Sequence, residues 1–258
     1  MIPTDRLEAL ARKFGIGPFE KKKQKTSAHK ERSTSSTDFV IKELKDRYVL
    51  QNVPYQGALR TVSWSRRLLD KGSEHTQDEW NVVLQGSEWK LPDATLYHAT
   101  LAALYQHKDG LENELVEKIR LFFCKHFEKH YLMTGSRVMY KRRGNDTVKH
   151  HLSGDEKQVC MVGADGWVNA QSGFEDSIDA VVGTRDLLEV ENVYEWISGK
   201  KAYLWRINNK PNANTERAVV LGVISDGRFN INAGGDSGWP ALGVVVCAPK
   251  ISKEMKVM

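Results

Sequence analysis

The amino-acid sequence predicts an α+β protein in which a helical N-terminal region is followed by a β-rich C-terminal region. Apolar residues recur at helical spacing through most of the first half, whereas from Ala202 onward they alternate with polar residues and turn-forming residues multiply. The length of 258 residues allows one large domain or two modest ones. We expect a short amphipathic helix over 1–19, a basic linker over 20–37, a helical region over 38–135 and an α+β region over 136–258.

The composition is typical of a folded cytoplasmic protein. With 40% apolar and 28% charged residues, the chain is neither disordered nor of low complexity. No apolar run approaches the roughly 20 residues that cross a bilayer, and acidic residues interrupt the apolar start of the chain, so we expect no membrane span or secretory signal. Three scattered cysteines fit a reducing compartment. The sequence has none of the glycine-rich motifs that bind nucleotides, and we expect no cofactor.

Positive charge is concentrated towards the N-terminus. Of the 38 lysines and arginines, 27 fall within the first 150 residues, together with 19 of the 33 acidic residues. The densest run lies in the linker, and its cations are Lys21, Lys22, Lys23, Lys25, Lys30 and Arg32. Such a run can neutralise phosphates and release counterions, so one hypothesis is sequence-independent nucleic-acid binding. The alternative is a solvated tether, because no aromatic residue accompanies the lysines as a platform for bases.

Capping residues and apolar spacing predict the helices of the first half. Thr76 and Glu79 have the spacing of a capping box, and Asp93 follows a proline at a position where it can cap the next helix. The strongest apolar stripe runs over 111–131 and includes three phenylalanines. A further helix is predicted over 40–48, where the apolar residues can share one helical face.

The second half of the chain mixes helical and strand patterns. Short strands are predicted on either side of a polar turn at 144–146. Two amphipathic helices are expected over 174–182 and 187–197, and Gly199 ends the second. The remaining segment is predicted to be mainly β, with a two-residue hairpin loop at 226–227.

Histidines at the end of the helix over 111–131 form a first candidate site. His126 and His130 lie one helical turn apart and could share a metal ion, with Cys124 or His98 completing the shell. Histidines near a helix C-terminus are equally favoured by the helix dipole, and the apolar stripe already explains this helix. We therefore assign no metal site from the sequence.

The tetrapeptide Gly235-Asp236-Ser237-Gly238 resembles the nucleophile loop of chymotrypsin-like serine proteases. The resemblance implies Ser237 as the nucleophile and Gly235 as an oxyanion donor, with a histidine base that an aspartate orients. The chain departs from the family because helices stand where β-barrel strands are expected, because Trp239 replaces a small residue, and because only 21 residues follow Ser237. A glycine-rich turn with a polar tip is the simpler interpretation, and a serine hydrolase is the alternative.

Three short motifs recur in order over the last 65 residues: Leu204-Trp205-Arg206, Asp226-Gly227 and Gly243-Val244. This order resembles the C-terminal part of C-type-lectin-like domains in bacterial and phage proteins. The resemblance implies a lectin-like scaffold that displays side chains from its last strands and loops for recognition. The chain departs from the pattern at Val245, where those domains often have Arg-Pro. It also lacks the disulfides and calcium motifs of animal lectins, so the resemblance does not imply sugar binding.

Alternation within 228–233 predicts a recognition surface. Phe229, Ile231 and Ala233 would face the core, which places the polar residues between them in a row on the other face. The predicted ligand-binding residues are Arg228, Asn230, Asn232, Asp236, Ser237 and Trp239. We therefore expect a non-enzymatic binding or interaction protein whose partner is a protein or a small ligand, and the alternative is an ordinary solvated strand face.

Overall fold

The computed structural model describes residues 39–169, 173–224 and 226–247. The predicted helix over 1–19 and the basic linker over 20–37 lie outside these residues.

The described residues contain eleven strands and five α-helices. The strands are β1 (Val40–Glu43), β2 (Arg47–Tyr55), β3 (Ala58–Leu68), β4 (Leu132–Tyr140), β5 (Asp146–His150), β6 (Glu156–Val159), β7 (Gly166–Trp167), β8 (Ala202–Trp205), β9 (Thr215–Val223), β10 (Phe229–Gly235) and β11 (Leu242–Cys247). The helices are α1 (Gln77–Val83), α2 (Ala94–Gln106), α3 (Asn113–Lys129), α4 (Glu175–Val182) and α5 (Leu187–Ser198). This mixture confirms the predicted α+β class.

The first sheet has four antiparallel strands in the order β1-β2-β3-β11. The helix predicted over 40–48 is wrong, because these residues form β1 and the start of β2. Tyr48 and Leu50 are both buried, as expected where every second residue of a strand faces the core. Gln56 and Gly57 join β2 to β3 with φ angles of 53° and 68°, the left-handed conformation that a tight hairpin requires.

The second sheet has seven strands in the order β6-β5-β4-β9-β10-β8-β7. Neighbouring strands are antiparallel except β8 and β10, which run parallel with Ala202 opposite Phe229. The hairpin between β9 and β10 is wider than predicted, since Ile224 and Arg228 still pair across it and Gly227 takes a φ of 84°. The strand character of this segment is confirmed.

Helices α2 and α3 lie between the two sheets. The ring of Trp64 on β3 packs edge-on against Phe123 of α3, with centroids 5.2 Å apart. Phe127, one turn further along α3, packs against Phe229 of β10 at 5.0 Å. A single core therefore joins both sheets through the apolar stripe that the sequence predicts for this helix.

A smaller cluster covers the outer face of the seven-stranded sheet, the face directed away from α3. Helix α1 begins with the predicted capping box, in which Thr76 Oγ1 accepts from Glu79 N at 3.3 Å and Glu79 Oε2 accepts from Thr76 N at 2.8 Å. Trp80 packs there with Val220 of β9. Its indole N–H donates to the carbonyl oxygen of Trp239 at 2.9 Å, which attaches the segment before β11 to this helix.

The two regions predicted on either side of residue 135 share their sheets. That boundary falls inside β4, and β11 completes the sheet that β1–β3 begin. The prediction of a helical region over 38–135 is therefore wrong for residues 40–68, which form β1–β3. The predicted helices α1, α2 and α3 are confirmed. Within the described residues, no helix combines the length and the apolar character needed to cross a bilayer.

Candidate binding surface on the outer sheet face

Strand β10 supplies the centre of the predicted recognition row. Phe229, Ile231 and Ala233 are buried in the main core, which confirms the predicted alternation. The intervening residues, Asn230 and Asn232, therefore lie on the outer face of the sheet.

Asn230 is not part of an exposed row, which corrects the prediction. Its side chain is buried because Tyr131, which precedes β4, covers it. The Asn230 amide Nδ2 donates to the Tyr131 hydroxyl at 3.0 Å. Gly222, the residue opposite Asn230 on β9, provides the necessary space, since an added Cβ there would lie 3.1 Å from Cδ1 of Tyr131.

Trp239 also departs from the prediction of an exposed indole. It is partly buried against the outer cluster, and its ring meets that of Tyr131 edge-on at 6.5 Å. Asp236 and Ser237 are exposed in the preceding loop. They line a shallow cavity of about 200 Å³ that Arg137 and Glu216 also border.

An exposed aromatic residue on this face is Trp205 of β8. A Cβ atom at Gly234 would lie 1.6 Å from Cζ3 and 2.5 Å from Cε3 of the Trp205 ring. Only glycine leaves room for the indole, which lies against the backbone of β10 there. Trp205 nevertheless keeps 36% of its surface exposed, so the ring presents open area to solvent.

The charges next to Trp205 are already paired. Arg228 forms an ion pair with Asp226 and stacks on Tyr203 with its Cζ atom 4.1 Å from the ring centroid. The hydrogen bond from Arg228 lowers the pKa of Asp226, which keeps the pair charged on both sides. Arg228 thus covers the Tyr203 ring, while Trp167 on β7 remains 40% exposed beside it.

Asn232 connects the predicted row to the aromatic residues. It lies opposite Trp205 in the parallel pairing of β8 and β10. Its Oδ1 atom accepts from Gly234 N at 2.8 Å, and its Nδ2 forms no hydrogen bond within the described part of the chain. The partly exposed Asn232 amide therefore has a donor available beside the indole.

We define the Trp205 face as Trp205, Gly234, Asn232, Arg228 and Trp167. Sequence reasoning found Arg228 and Asn232 but missed the aromatic residues. Two signals were present in the sequence: Tyr203 and Trp205 alternate with buried Ala202 and Leu204, and two consecutive glycines end β10.

Ser237 has no catalytic partner in the described structure. An aspartate–histidine pair lies near its loop, since His75 Nε2 is 2.7 Å from Asp70 Oδ2 and His75 pairs through its backbone with Trp239. The hydrogen bond from His75 lowers the pKa of Asp70. Among the described residues, no histidine forms a hydrogen bond with the Ser237 hydroxyl.

The histidines considered for metal binding are not assembled into a site. No group of three metal-ligating side chains occurs among the residues that the structure describes. His126 is half-buried on α3, packs against Phe122 with ring centroids 4.7 Å apart, and burial lowers its pKa to about 4. The cations predicted for nucleic-acid binding, from Lys21 to Arg32, lie outside the described residues.

Comparison of the chain with protein-family models, with curated proteins and with solved structures gave no match.

Proposed function

We propose that this chain is a non-enzymatic binding protein that recognises a neutral saccharide on the Trp205 face. The observation that carries the proposal is the exposed indole of Trp205 lying over Gly234. Keeping a large ring exposed loses the hydrophobic free energy of burying it, and a rigid aromatic residue in this position is typical of a contact surface.

The chemistry of the face suits a sugar ring. The face of an indole carries a negative quadrupole and attracts weakly positive C–H groups, which a pyranose presents on its flat side. Hydroxyl groups at the rim of that ring need donors and acceptors. Asn232 Nδ2 offers a donor, and Asp236 and Ser237 in the neighbouring loop offer a carboxylate and a hydroxyl.

The paired charges favour a neutral ligand over a polyanion. Single-stranded nucleic acid binding combines stacking residues with unpaired cations along the backbone path. Here Asp226 neutralises Arg228, the one cation of the Trp205 face. The nucleic-acid hypothesis therefore depends on the basic linker over 20–37. It predicts retention on heparin that falls steeply with salt and is lost when that linker is deleted.

Binding to arrayed neutral oligosaccharides, followed by titration with the best-retained one, tests the proposal. Trp205→Ala should weaken binding roughly tenfold or more, because an aromatic anchor contributes more than about 1.4 kcal/mol to such a contact. Trp205→Phe should retain part of the affinity. Trp196→Ala on α5 is the matched control and should bind like the wild type. The absence of any retained neutral saccharide, or wild-type affinity in Trp205→Ala, would refute the proposal.

The C-type-lectin-like resemblance remains a prediction for the last 65 residues. The serine-hydrolase alternative keeps one supporting observation, the Asp70–His75 pair near the Ser237 loop. It requires the Ser237 hydroxyl to reach an imidazole nitrogen, and active-site labelling distinguishes it from the binding proposal.

A further inference from the structure

A second candidate site is a cavity of about 420 Å³ beside α2. The turn between β2 and β3, helix α2 and the start of α5 contribute to its wall, together with residues near the hairpin of β5 and β6. Its volume lies within the range of about 300–1,000 Å³ that small-molecule sites occupy. It shares no lining residue with the Trp205 face.

His98 lines this cavity with both of its ring nitrogens unsatisfied. The side chain is 5% exposed, and neither Nδ1 nor Nε2 has a hydrogen-bond partner among the described residues. Buried polar atoms nearly always have a partner, so a buried imidazole with none calls for a ligand or ordered water beside it. The ring is held by α2 and by contact with Tyr194, whose ring centroid lies 5.8 Å away.

Glu189 lies opposite His98 in the first turn of α5. Its Oε1 atom is 3.6 Å from His98 Nε2, which is longer than a hydrogen bond. A group with several N–H donors placed beside both side chains can give one hydrogen to the carboxylate and another to the imidazole.

The remaining charged groups leave an excess of carboxylate in the cavity. Lys157 is engaged by Asp179, whose Oδ2 is 2.9 Å from the Lys157 ammonium nitrogen. Among the described residues, the Asp155 carboxylate accepts a hydrogen bond only from the neutral amide Nε2 of Gln56, at 3.0 Å. Within the described part of the chain, no cationic side chain fully balances the carboxylates of Asp155 and Glu189.

His150 adds no compensating positive charge. Burial lowers its pKa, which keeps the ring neutral. Its nitrogens are also occupied, Nδ1 by the Ser136 hydroxyl at 2.7 Å and Nε2 by the Ala180 carbonyl at 2.9 Å.

We propose that the cavity binds a small organic cation, with a guanidinium or primary ammonium group held between His98 and Glu189. The apolar part of the ligand lies along Ala99 and Ala102, which share the His98 face of α2. The cation donates one N–H to one ring nitrogen of His98 and another to the Glu189 carboxylate.

Isothermal titration calorimetry of the full chain with n-butylguanidinium tests this site, with N-butylurea as the uncharged ligand of the same shape. We expect n-butylguanidinium to bind saturably and N-butylurea not to bind. The Glu189→Gln variant should bind n-butylguanidinium roughly tenfold more weakly than the wild type. Glu195→Gln, an exposed change on the same helix, should match the wild type. Equal binding of N-butylurea, no binding of either compound, or unchanged affinity in Glu189→Gln would overturn the proposal.

A second measurement does not depend on any variant folding. In protein labelled with ¹⁵N-histidine, n-butylguanidinium should shift the ring-nitrogen resonances of His98. Saturation without a change at His98 would place the ligand elsewhere, and the cavity would then be a water-filled space in which His98 bonds only to solvent.

Discussion

The side-chain amide of Asn230 donates a hydrogen bond to the hydroxyl of Tyr131 across 3.0 Å, joining the middle of β10 to the segment that precedes β4. Tyr131→Phe removes the acceptor and leaves a buried amide donor unpaired. We expect the free energy of unfolding to fall by about 1 kcal/mol in urea denaturation. Tyr105→Phe is the control, because the Tyr105 hydroxyl makes no hydrogen bond within the described residues, and it should change stability less. Equal stability of the Tyr131→Phe variant and the wild type would show that this bond contributes nothing.

Position 234 gives a test of the Trp205 face that leaves every aromatic residue in place. A valine side chain at 234 would occupy the space of the Trp205 ring, since even its Cβ would lie 1.6 Å from Cζ3. Gly234→Val should therefore displace the indole and weaken saccharide binding roughly tenfold. Ala58→Val, which enlarges a partly exposed strand position of the other sheet, should keep wild-type affinity. Unchanged saccharide binding by the Gly234→Val variant would show that recognition does not depend on the position of the Trp205 indole, and would contradict the proposal.

Acid should destabilise the protein below neutral pH. Burial lowers the pKa of His150, and it lowers that of His126 to about 4. An unfolded histidine titrates near pH 6.5, so below about that pH the unfolded chain binds protons that the folded chain does not. The stabilisation is complete above about pH 6.5 and decreases as the pH falls towards the lowered values.

Urea denaturation at pH 7.5, 6.0 and 5.0 checks this dependence. The free energy of unfolding should fall along the series, and His126→Gln should reduce the slope. A stability that stays constant or rises between pH 6.5 and pH 5 would contradict the assigned direction for both histidines.

Ser237 should not react as a hydrolase nucleophile. Its exposed hydroxyl forms no hydrogen bond to an imidazole of the described residues, so none of these histidines is placed to activate it. A fluorophosphonate probe should leave the full chain unlabelled under conditions that label a serine protease added as a positive control. Labelling that disappears in Ser237→Ala would instead support the hydrolase alternative.

Local signals predicted the helices, and pairing between strands explains the main error. The Thr76 and Glu79 capping box and the apolar stripe of α3 act within a few residues, so the sequence alone locates α1 and α3. The residues of β1 and β2 have apolar spacings compatible with both a helix and a strand. Their strand conformation comes from pairing between segments, β1 with β2 and β2 with β3, which the spacing within either segment does not reveal.

The candidate surface was predicted only in part, because some of its features are local in sequence and others depend on contacts between distant segments. Alternation along β10 is a local property, and it correctly placed Phe229 and Ile231 inside. The burial of Asn230 depends on Tyr131, 99 residues away, and this contact cannot be predicted from the sequence pattern of β10. Trp205 joins the face only because β8 pairs parallel with β10, which follows from the crossover rather than from adjacent sequence.

Nuclear magnetic resonance of the tryptophan indole groups tests saccharide recognition most directly. In ¹⁵N-tryptophan-labelled protein, the neutral oligosaccharide that binds best should shift the indole resonance of Trp205 in a saturable manner. The indole of fully buried Trp80 should stay unchanged. A saturable response that leaves Trp205 unaffected, or no response to any neutral oligosaccharide, would contradict the assignment of this face.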